Sequence, residues 1–399
     1  MSVSEKDTVN NKAADFNLND PARIKKSKLT RKKKPNAYVL VVDDVKTNLD
    51  VAKGMMGIYE MKIDCVCNGP EAIKAISEEK IIYDAIFMDH MMPDMDGIEA
   101  VRIIRREIGT EYARNIPIIA LTANAIVGNE EMFLSNGFQA FLSKPIDVIQ
   151  LDAVINTWIW DKPGNETLEI ADNEKVKNYN GSEIENNRIS LGLLKDAKVE
   201  GVDFTQGLKR YSSEIAYLDI IRSFCLHTPA LLKKLRSFII DGKEKNKGKK
   251  ISLAEYRIIV HGLKGSCYGI SANLAGSEAK KLEVAVGAGD VEWVKRNTFS
   301  FVLLMESLLK ELDEILQKDT ERRGPKKQAN APNPNLFSKL LEASRLYKAD
   351  EMEKIIRELE SFEYKYNGEL VSWLREQIDN LEYDAVCERL EKEVNLARK

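Results

Sequence analysis

The 399-residue chain has only three histidines, His90, His227 and His261, and five scattered cysteines, Cys65, Cys67, Cys225, Cys267 and Cys387. No two cysteines form a Cys-x-x-Cys pair, and no Cys/His set has zinc-ligand spacing. Disulfide and zinc scaffolds are thereby excluded, and structural thiols in a reducing, cytoplasmic setting are expected. No uninterrupted apolar run reaches the roughly 18 residues of a membrane span, and the N-terminus lacks an apolar signal region. Neither sign of charge dominates: 60 Lys and Arg face 63 Asp and Glu, with pI about 5.9. The whole chain has no bias towards DNA or anionic membranes.

What is present is organised in blocks. Residues 1–36 hold ten basic and four acidic residues and read as a disordered basic tail. From Ala37 the texture becomes strand then helix, repeated five times: strands at 38–42, 61–66, 85–88, 118–121 and 140–142, each followed by a helical pattern. That alternation predicts a doubly wound parallel sheet over 37–160. Residues 161–187 are polar and aperiodic and read as a linker. Helical periodicity then runs over 188–318, with helices expected at 212–240, 252–272, 277–286 and 290–316. Long helices joined by short loops predict an all-α four-helix bundle. A second, proline-bearing linker is expected at 319–335. A small all-α module follows at 336–399, with helices near 336–346, 350–360, 367–379 and 383–395. Asp350 and Asp384 suggest a weak 34-residue period within it.

Chemistry collects at the strand ends. The first strand ends in Asp43-Asp44, the third in Asp89, the fourth in Thr122 and the fifth near Lys144. In a parallel sheet these residues share one rim, where open α/β sheets bind their ligands. Three carboxylates there repel one another unless a divalent cation neutralises them, and oxygen ligands alone suit Mg²⁺. A Lys and a Thr hydroxyl beside such a carboxylate suit a phosphoryl group.

Four ordered motifs then stand out: Asp43-Asp44, Met-Asp-His-Met-Met-Pro-Asp-Met-Asp-Gly around Asp89, Thr122-Ala123 and Lys144-Pro145. By them, residues 37–160 resemble a response-regulator receiver domain, which implies a flavodoxin-like fold. The resemblance makes Asp89 the phosphoacceptor. It assigns Mg²⁺ to Asp43, Asp44, Asp89 and the Met91 backbone carbonyl, and the phosphoryl contacts to Thr122 and Lys144. Phe141 falls on the family's switch aromatic, without the hydroxyl of a Tyr. His90 is expected to point away from the acceptor. A phosphatase reading fails, because Met91 stands where a second carboxylate would be needed as acid/base.

In the second predicted bundle helix, Tyr256, Val260, Leu263 and Cys267 share one narrow sector and form the expected core stripe. His261, Lys264, Gly265 and Tyr268 fall away from it, so His261 is expected to face solvent. Lys264 lies one turn on, and Gly265 clears space beside the imidazole. Helix geometry alone leaves an ordinary surface histidine and a phosphoacceptor equally open. The segment His261-Gly262-Leu263-Lys264-Gly265-Ser266, with Gly201-Val202-Asp203-Phe204 and Gly207, resembles a histidine phosphotransfer (HPt) domain. That resemblance makes His261 a phosphoacceptor and Lys264 its electrostatic partner. His227 reads as structural, because it lacks the residues of a kinase dimerising helix and no ATP-binding boxes follow. The chain is therefore similar to the C-terminal half of a hybrid sensor histidine kinase, without an ATP-binding core. The implied partners are a sensor histidine kinase and a downstream receiver domain. The competing expectation is a phosphorylation-switched binding module whose output is the C-terminal helices, with His261 unused.

Overall fold

The computed structural model describes residues 31–122, 129–159, 192–211, 213–239, 251–323, 326–346, 349–379 and 382–397. The expected linker at 161–187, most of the basic tail and the loop at 240–250 lie outside the described residues. Residues 31–36, expected to belong to a disordered tail, are tied to the domain by backbone hydrogen bonds, though only Lys34 is buried: the Arg31 amide donates to Asp152 Oδ1 at 2.9 Å and the Lys34 amide to the Tyr59 carbonyl at 2.7 Å.

Five strands, β1 (Tyr38–Val42), β2 (Lys62–Val66), β3 (Ala85–Asp89), β4 (Ile118–Thr122) and β5 (Ala140–Ser143), form an all-parallel sheet in the order β2-β1-β3-β4-β5. Between them run α1 (Lys46–Met56), α2 (Gly69–Glu78), α3 (Gly97–Arg106), the short α4 (Glu111–Asn115) and α5 (Asn129–Ser135); α6 (Val148–Trp158) follows β5. Strand β3 is buried along its whole length, as its continuous apolar run requires. Side chains alternate across the sheet: Leu40 and Val42 pack under α2 and α3, Val39 and Val41 under α1 and α6. This is the doubly wound arrangement expected. All strand C-termini point to one rim because all strands are parallel.

The remainder is mostly helical. Short α7 (Leu193–Asp196) and α8 (Phe204–Arg210) lead into α9 (Glu214–Ile239), α10 (Leu253–Gly269), α11 (Asn273–Gly287) and α12 (Val291–Arg323). The last four pack in a ring, each touching two neighbours. Ser252 caps α10 in a reciprocal capping box with Glu255. Asp203 caps α8, and Gly207 lies so close to Tyr217 that any Cβ would collide with the ring. Tyr211 and Tyr217 donate to the carbonyls of Gly269 and Ile270 at the end of α10, satisfying acceptors that a helix C-terminus leaves open.

One expectation is corrected here. Helix α12 continues to Arg323 through the start of the expected linker, because Asp319 is fully buried and pairs with Arg222 of α9. Helix α9 is long and apolar enough to cross a membrane by length and composition alone. Its apolar face lies in the bundle core, and its other face carries the ion pairs Asp219–Arg222 and Arg236–Glu306. Pro229 is accommodated within α9 without ending it.

The C-terminal module is α13 (Pro334–Arg345), α14 (Ala349–Glu360), α15 (Gly368–Asp379) and α16 (Tyr383–Ala397), near the expected bounds. Two three-residue strands, β6 (Lys327–Ala329) and β7 (Phe362–Tyr364), pair in parallel. The approximate 34-residue period is thus a repeated strand–helix–helix unit, not a bare helix pair. The module has its own apolar core, whereas the sheet's α1/α6 face shares one continuous core with the bundle.

Candidate functional site

The sheet rim collects the residues singled out by sequence. Asp43 and Asp89 are each 1% exposed, and carboxylate oxygens of Asp43, Asp44 and Asp89 lie within 4.8 Å of one another. Lys144 Nζ donates to Asp43 Oδ2 at 2.6 Å and to Asp89 Oδ2 at 2.7 Å. It is delivered by a turn in which its own amide donates to the Thr122 carbonyl at 2.6 Å, followed by a cis bond to Pro145. The Met91 amide donates to Asp89 Oδ1 at 3.2 Å. Thr122 is buried at the end of β4, next to the strand that carries Asp89. Phe141 is half-buried and stacks on Phe133 with ring centroids 6.3 Å apart.

Burial pushes the Asp43 carboxyl up to about 6, against the pull of Lys144. Burial, with the charges of Asp43 and Asp89 alongside, pushes Asp44 up to about 8. Burial opposes ionisation of Asp89 too, but the Lys144 ammonium outweighs it and holds that carboxyl well below its ordinary range. One ammonium among three close carboxylates leaves excess negative charge in a desolvated pocket. The donors are hard oxygens, so the residues present fit a small divalent cation of the Mg²⁺ kind.

The other sequence-predicted acceptor stands at the same place. His261 is 2% exposed rather than solvent-facing, and Lys264 is 4% exposed. The expected stripe of Tyr256, Val260, Leu263 and Cys267 is indeed fully buried in the bundle. The opposite face of α10 is covered as well, by α1 of the sheet domain. Glycines make that contact possible. A Cβ at Gly262 would collide with Val45 Cγ2; one at Gly269 would sit 2.5 Å from Val51 Cγ2, and one at Gly265 3.1 Å from Asn48 Oδ1. Ser266 Oγ donates to Asn48 Oδ1 at 2.9 Å, while Asn48 Nδ2 donates to Asp43 Oδ1 at 3.1 Å. Asn48 therefore ties the acidic cluster directly to α10. A cavity of about 20 Å³ between Asp43, Lys144 and Gly265 has room for one water.

A ring nitrogen of His261, a ring nitrogen of His90 and a carboxylate oxygen of Asp89 lie within 4.8 Å of one another. His90, expected to point away, instead faces the site. Its ring lies 5.7 Å from that of His261, and its Nδ1 is 3.2 Å from the Leu121 carbonyl and 3.6 Å from Asp89 Oδ1. His227 is not part of the site; its Nδ1 lies 2.8 Å from the Ser223 carbonyl, one turn back on α9.

Glu283 of α11 is the functional residue that sequence reasoning missed. Its Oε1 accepts from His261 Nδ1 at 2.6 Å and its Oε2 from Lys264 Nζ at 2.5 Å. A carboxylate can only accept, so Nδ1 carries the proton and Nε2 the lone pair. Nε2 is buried and has no hydrogen-bond partner among the described residues. Burial lowers the pKa of His261, which keeps the ring neutral. Burial opposes ionisation of Glu283, but His261 and Lys264 outweigh it and pull its carboxyl down to about 2 from 4.5. A depressed carboxylate contributes stability above its unfolded pKa and loses it as pH falls towards the folded value. The denaturant midpoint is therefore expected to fall between pH 4.5 and about 2, and to fall less in Glu283→Gln over the same range.

The response regulator receiver domain family matches residues 39–156. Over 124 residues the chain is 39% identical to hybrid signal transduction histidine kinase I of Dictyostelium discoideum, covering 30% of this chain and 7% of that protein. Over 144 residues it is 33% identical to histidine kinase 5 of Arabidopsis thaliana, covering 30% of this chain and 15% of that protein. The curated relatives compared are thus far longer than the part matched, which spans 5% to 18% of their length. Among solved structures, the receiver domain of sensor histidine kinase PA1611 from Pseudomonas aeruginosa PAO1, with a magnesium ion coordinated in its active-site cleft, is 34% identical, with a TM-score of 0.28. It covers 31% of this chain and 97% of that one. Residues 39–156 are a response regulator receiver domain of two-component signalling, similar to the receivers of hybrid histidine kinases.

Proposed function

We propose that the chain is a phosphorelay protein in which Asp89 accepts a phosphoryl group and His261 takes it over within the same chain. The observation that carries this reading is the placement of His261, held neutral with a free Nε2, against Asp89. In the transfer the Nε2 lone pair attacks phosphorus. The bond between phosphorus and the Asp89 oxygen breaks, and its electrons return to the carboxylate. Glu283 keeps the Nδ1 proton in place and shares the positive charge that the ring acquires. Lys144, released from Asp89 as that carboxylate becomes an acyl phosphate, meets one phosphoryl oxygen, and the Thr122 hydroxyl donates to another. Asp43, Asp44, Asp89 and the Met91 carbonyl would hold Mg²⁺, and that ion would neutralise phosphoryl charge. Helices α9–α12 would then act as an HPt domain.

By this reading the phosphodonor is a sensor histidine kinase, and the onward acceptor is a receiver domain on another protein, both in the cytoplasm. Lys264 acts through Glu283, to which it is bonded, rather than as a free cation awaiting phosphate. The binding-module alternative leaves unexplained why an imidazole should be buried beside the acceptor.

The experiment is direct. After incubation with acetyl phosphate and Mg²⁺, base-labile aspartyl phosphate is expected first, followed by base-stable, acid-labile histidyl phosphate. The second step should be first order and independent of protein concentration. Phosphate that stays wholly base-labile refutes the relay.

A further inference from the structure

Both acceptors are almost fully buried in the arrangement that suits transfer. Resting on the relay reading, the same covering of Asp89 by α10 that aligns His261 also shuts out any donor. A relay of this build needs an opening step, and the question is which contact governs it.

Apart from the Ser266–Asn48 hydrogen bond, the contact between the receiver and the bundle is apolar and tight around one shared core, with glycine-to-valine approaches. The C-terminal module makes a different kind of contact. Helix α14 lies along β2, the edge strand of the receiver sheet, covering an edge that would otherwise expose unpaired backbone groups. On the bundle side, Arg357 Nη2 of α14 donates to Asp219 Oδ2 of α9 at 2.9 Å. Both ends of that pair are pre-oriented: Arg357 Nε bonds Glu353 Oε1 at 2.6 Å, and Arg222 Nη1 bonds Asp219 Oδ1 at 2.8 Å. Tyr383 at the start of α16 is buried near Cys65, Cys67 and Asp64 of the receiver, and Asp379 of α15 lies near Lys46 of α1. The module thus touches both domains, while its apolar core stays separate from theirs. Contacts of this kind between separately cored units are the ones expected to part and re-form.

We infer that the C-terminal strand–helix–helix module is a releasable clamp that bridges the receiver's edge strand and, through Arg357–Asp219, α9, holds His261 over Asp89, and governs when Asp89 can be loaded from outside. Loosening it speeds entry of phosphate at Asp89 and slows intrachain transfer to His261.

The test uses the full chain in a His261→Gln background, with acetyl phosphate and Mg²⁺. Aspartyl phosphate formation then reads opening alone and does not depend on whether the relay reading holds. Arg357→Glu sets a carboxylate against Asp219 and is expected to raise the loading rate roughly two- to fivefold, the scale of one surface ion pair. Asp219→Arg, which leaves the module's sequence intact, should do the same. The exchanged pair Asp219→Arg/Arg357→Glu should restore the slow rate, and higher ionic strength should mimic the single variants. Amide exchange should rise at β2 and along α10 in the single variants while the core of α13–α16 stays protected. Loading and exchange that are indifferent to both reversals and to salt overturn the clamp. Loss of protection throughout α13–α16 in Arg357→Glu would leave Asp219→Arg to decide the matter on the same readouts.

Discussion

In the His261→Gln variant the whole phosphate load is expected to stop at Asp89 and remain base-labile, with no histidyl phosphate at any time. In Asp89→Asn both pools are expected to vanish. Acetyl phosphate is itself an acyl phosphate, so it exchanges with a carboxylate at little cost and gives Asp89, not the imidazole, the first load. The expectation for Gln rests on geometry. Its amide can still donate to Glu283, so the hydrogen bond that His261 Nδ1 makes at 2.6 Å is replaced. The face beside Asp89 loses its only lone-pair nitrogen from α10. The fold should therefore survive while transfer disappears, and amide exchange on α10 checks the first half of that statement. The wild-type rate should not depend on dilution, because a docked nucleophile has an effective concentration of about 10⁵–10⁸ M in well-aligned cases. Base-stable phosphate persisting in Asp89→Asn would mean that His261 is loaded by another route, and the intrachain relay would fall.

The receiver half was legible because its signals are local. Each strand end carries its own chemistry, and a parallel sheet brings those ends together whatever the loops do. Asp43, Asp89 and Lys144 could therefore be named from the chain alone. The helical half was legible only on one side. Tyr256, Val260, Leu263 and Cys267 announce the bundle core by their period, and the structure buries all four. The other face of α10 consists of His261, Gly262, Lys264, Gly265 and Gly269, and such a pattern reads as solvent-facing. Small and polar residues do not announce a neighbouring domain that approaches through glycine. Glu283 was invisible for a related reason: nothing in its own helix distinguishes it from the acidic residues that face water. His90 was misjudged because strand alternation was extended one residue past the strand, where the backbone turns. The strands β6 and β7, three residues each, are too short to show any period. Asp319 was read as linker because a buried charge cannot be recognised until its partner, Arg222, is known.

Those glycines carry the second large effect. The double variant Gly262→Ala/Gly269→Ala is expected to slow intrachain transfer by about a hundredfold, the penalty for a misplacement of about 1 Å between reacting atoms. Each new methyl would meet a valine of the receiver, Val45 or Val51, at well under contact distance. Valine is branched at Cβ and stiff about χ1, so it cannot swing aside. Helices α1 and α10 must part instead, and His261 moves away from Asp89 with them. The Gly262 substitution also favours the helix itself, since Ala in a helix interior is better than Gly by about 1 kcal/mol. The bundle should therefore hold or gain stability while transfer falls, a combination that general damage to the fold would not produce. Gly287→Ala is the control: it lies at the end of α11 with nothing within 4 Å of a Cβ, so it should leave transfer unchanged. Acetyl phosphate loading of Asp89 in the double variant should be faster than in wild type, because the cover that aligns the histidine is the same one that excludes the donor. Transfer at the wild-type rate in the double variant would show that the α1–α10 contact is not the one through which phosphate moves.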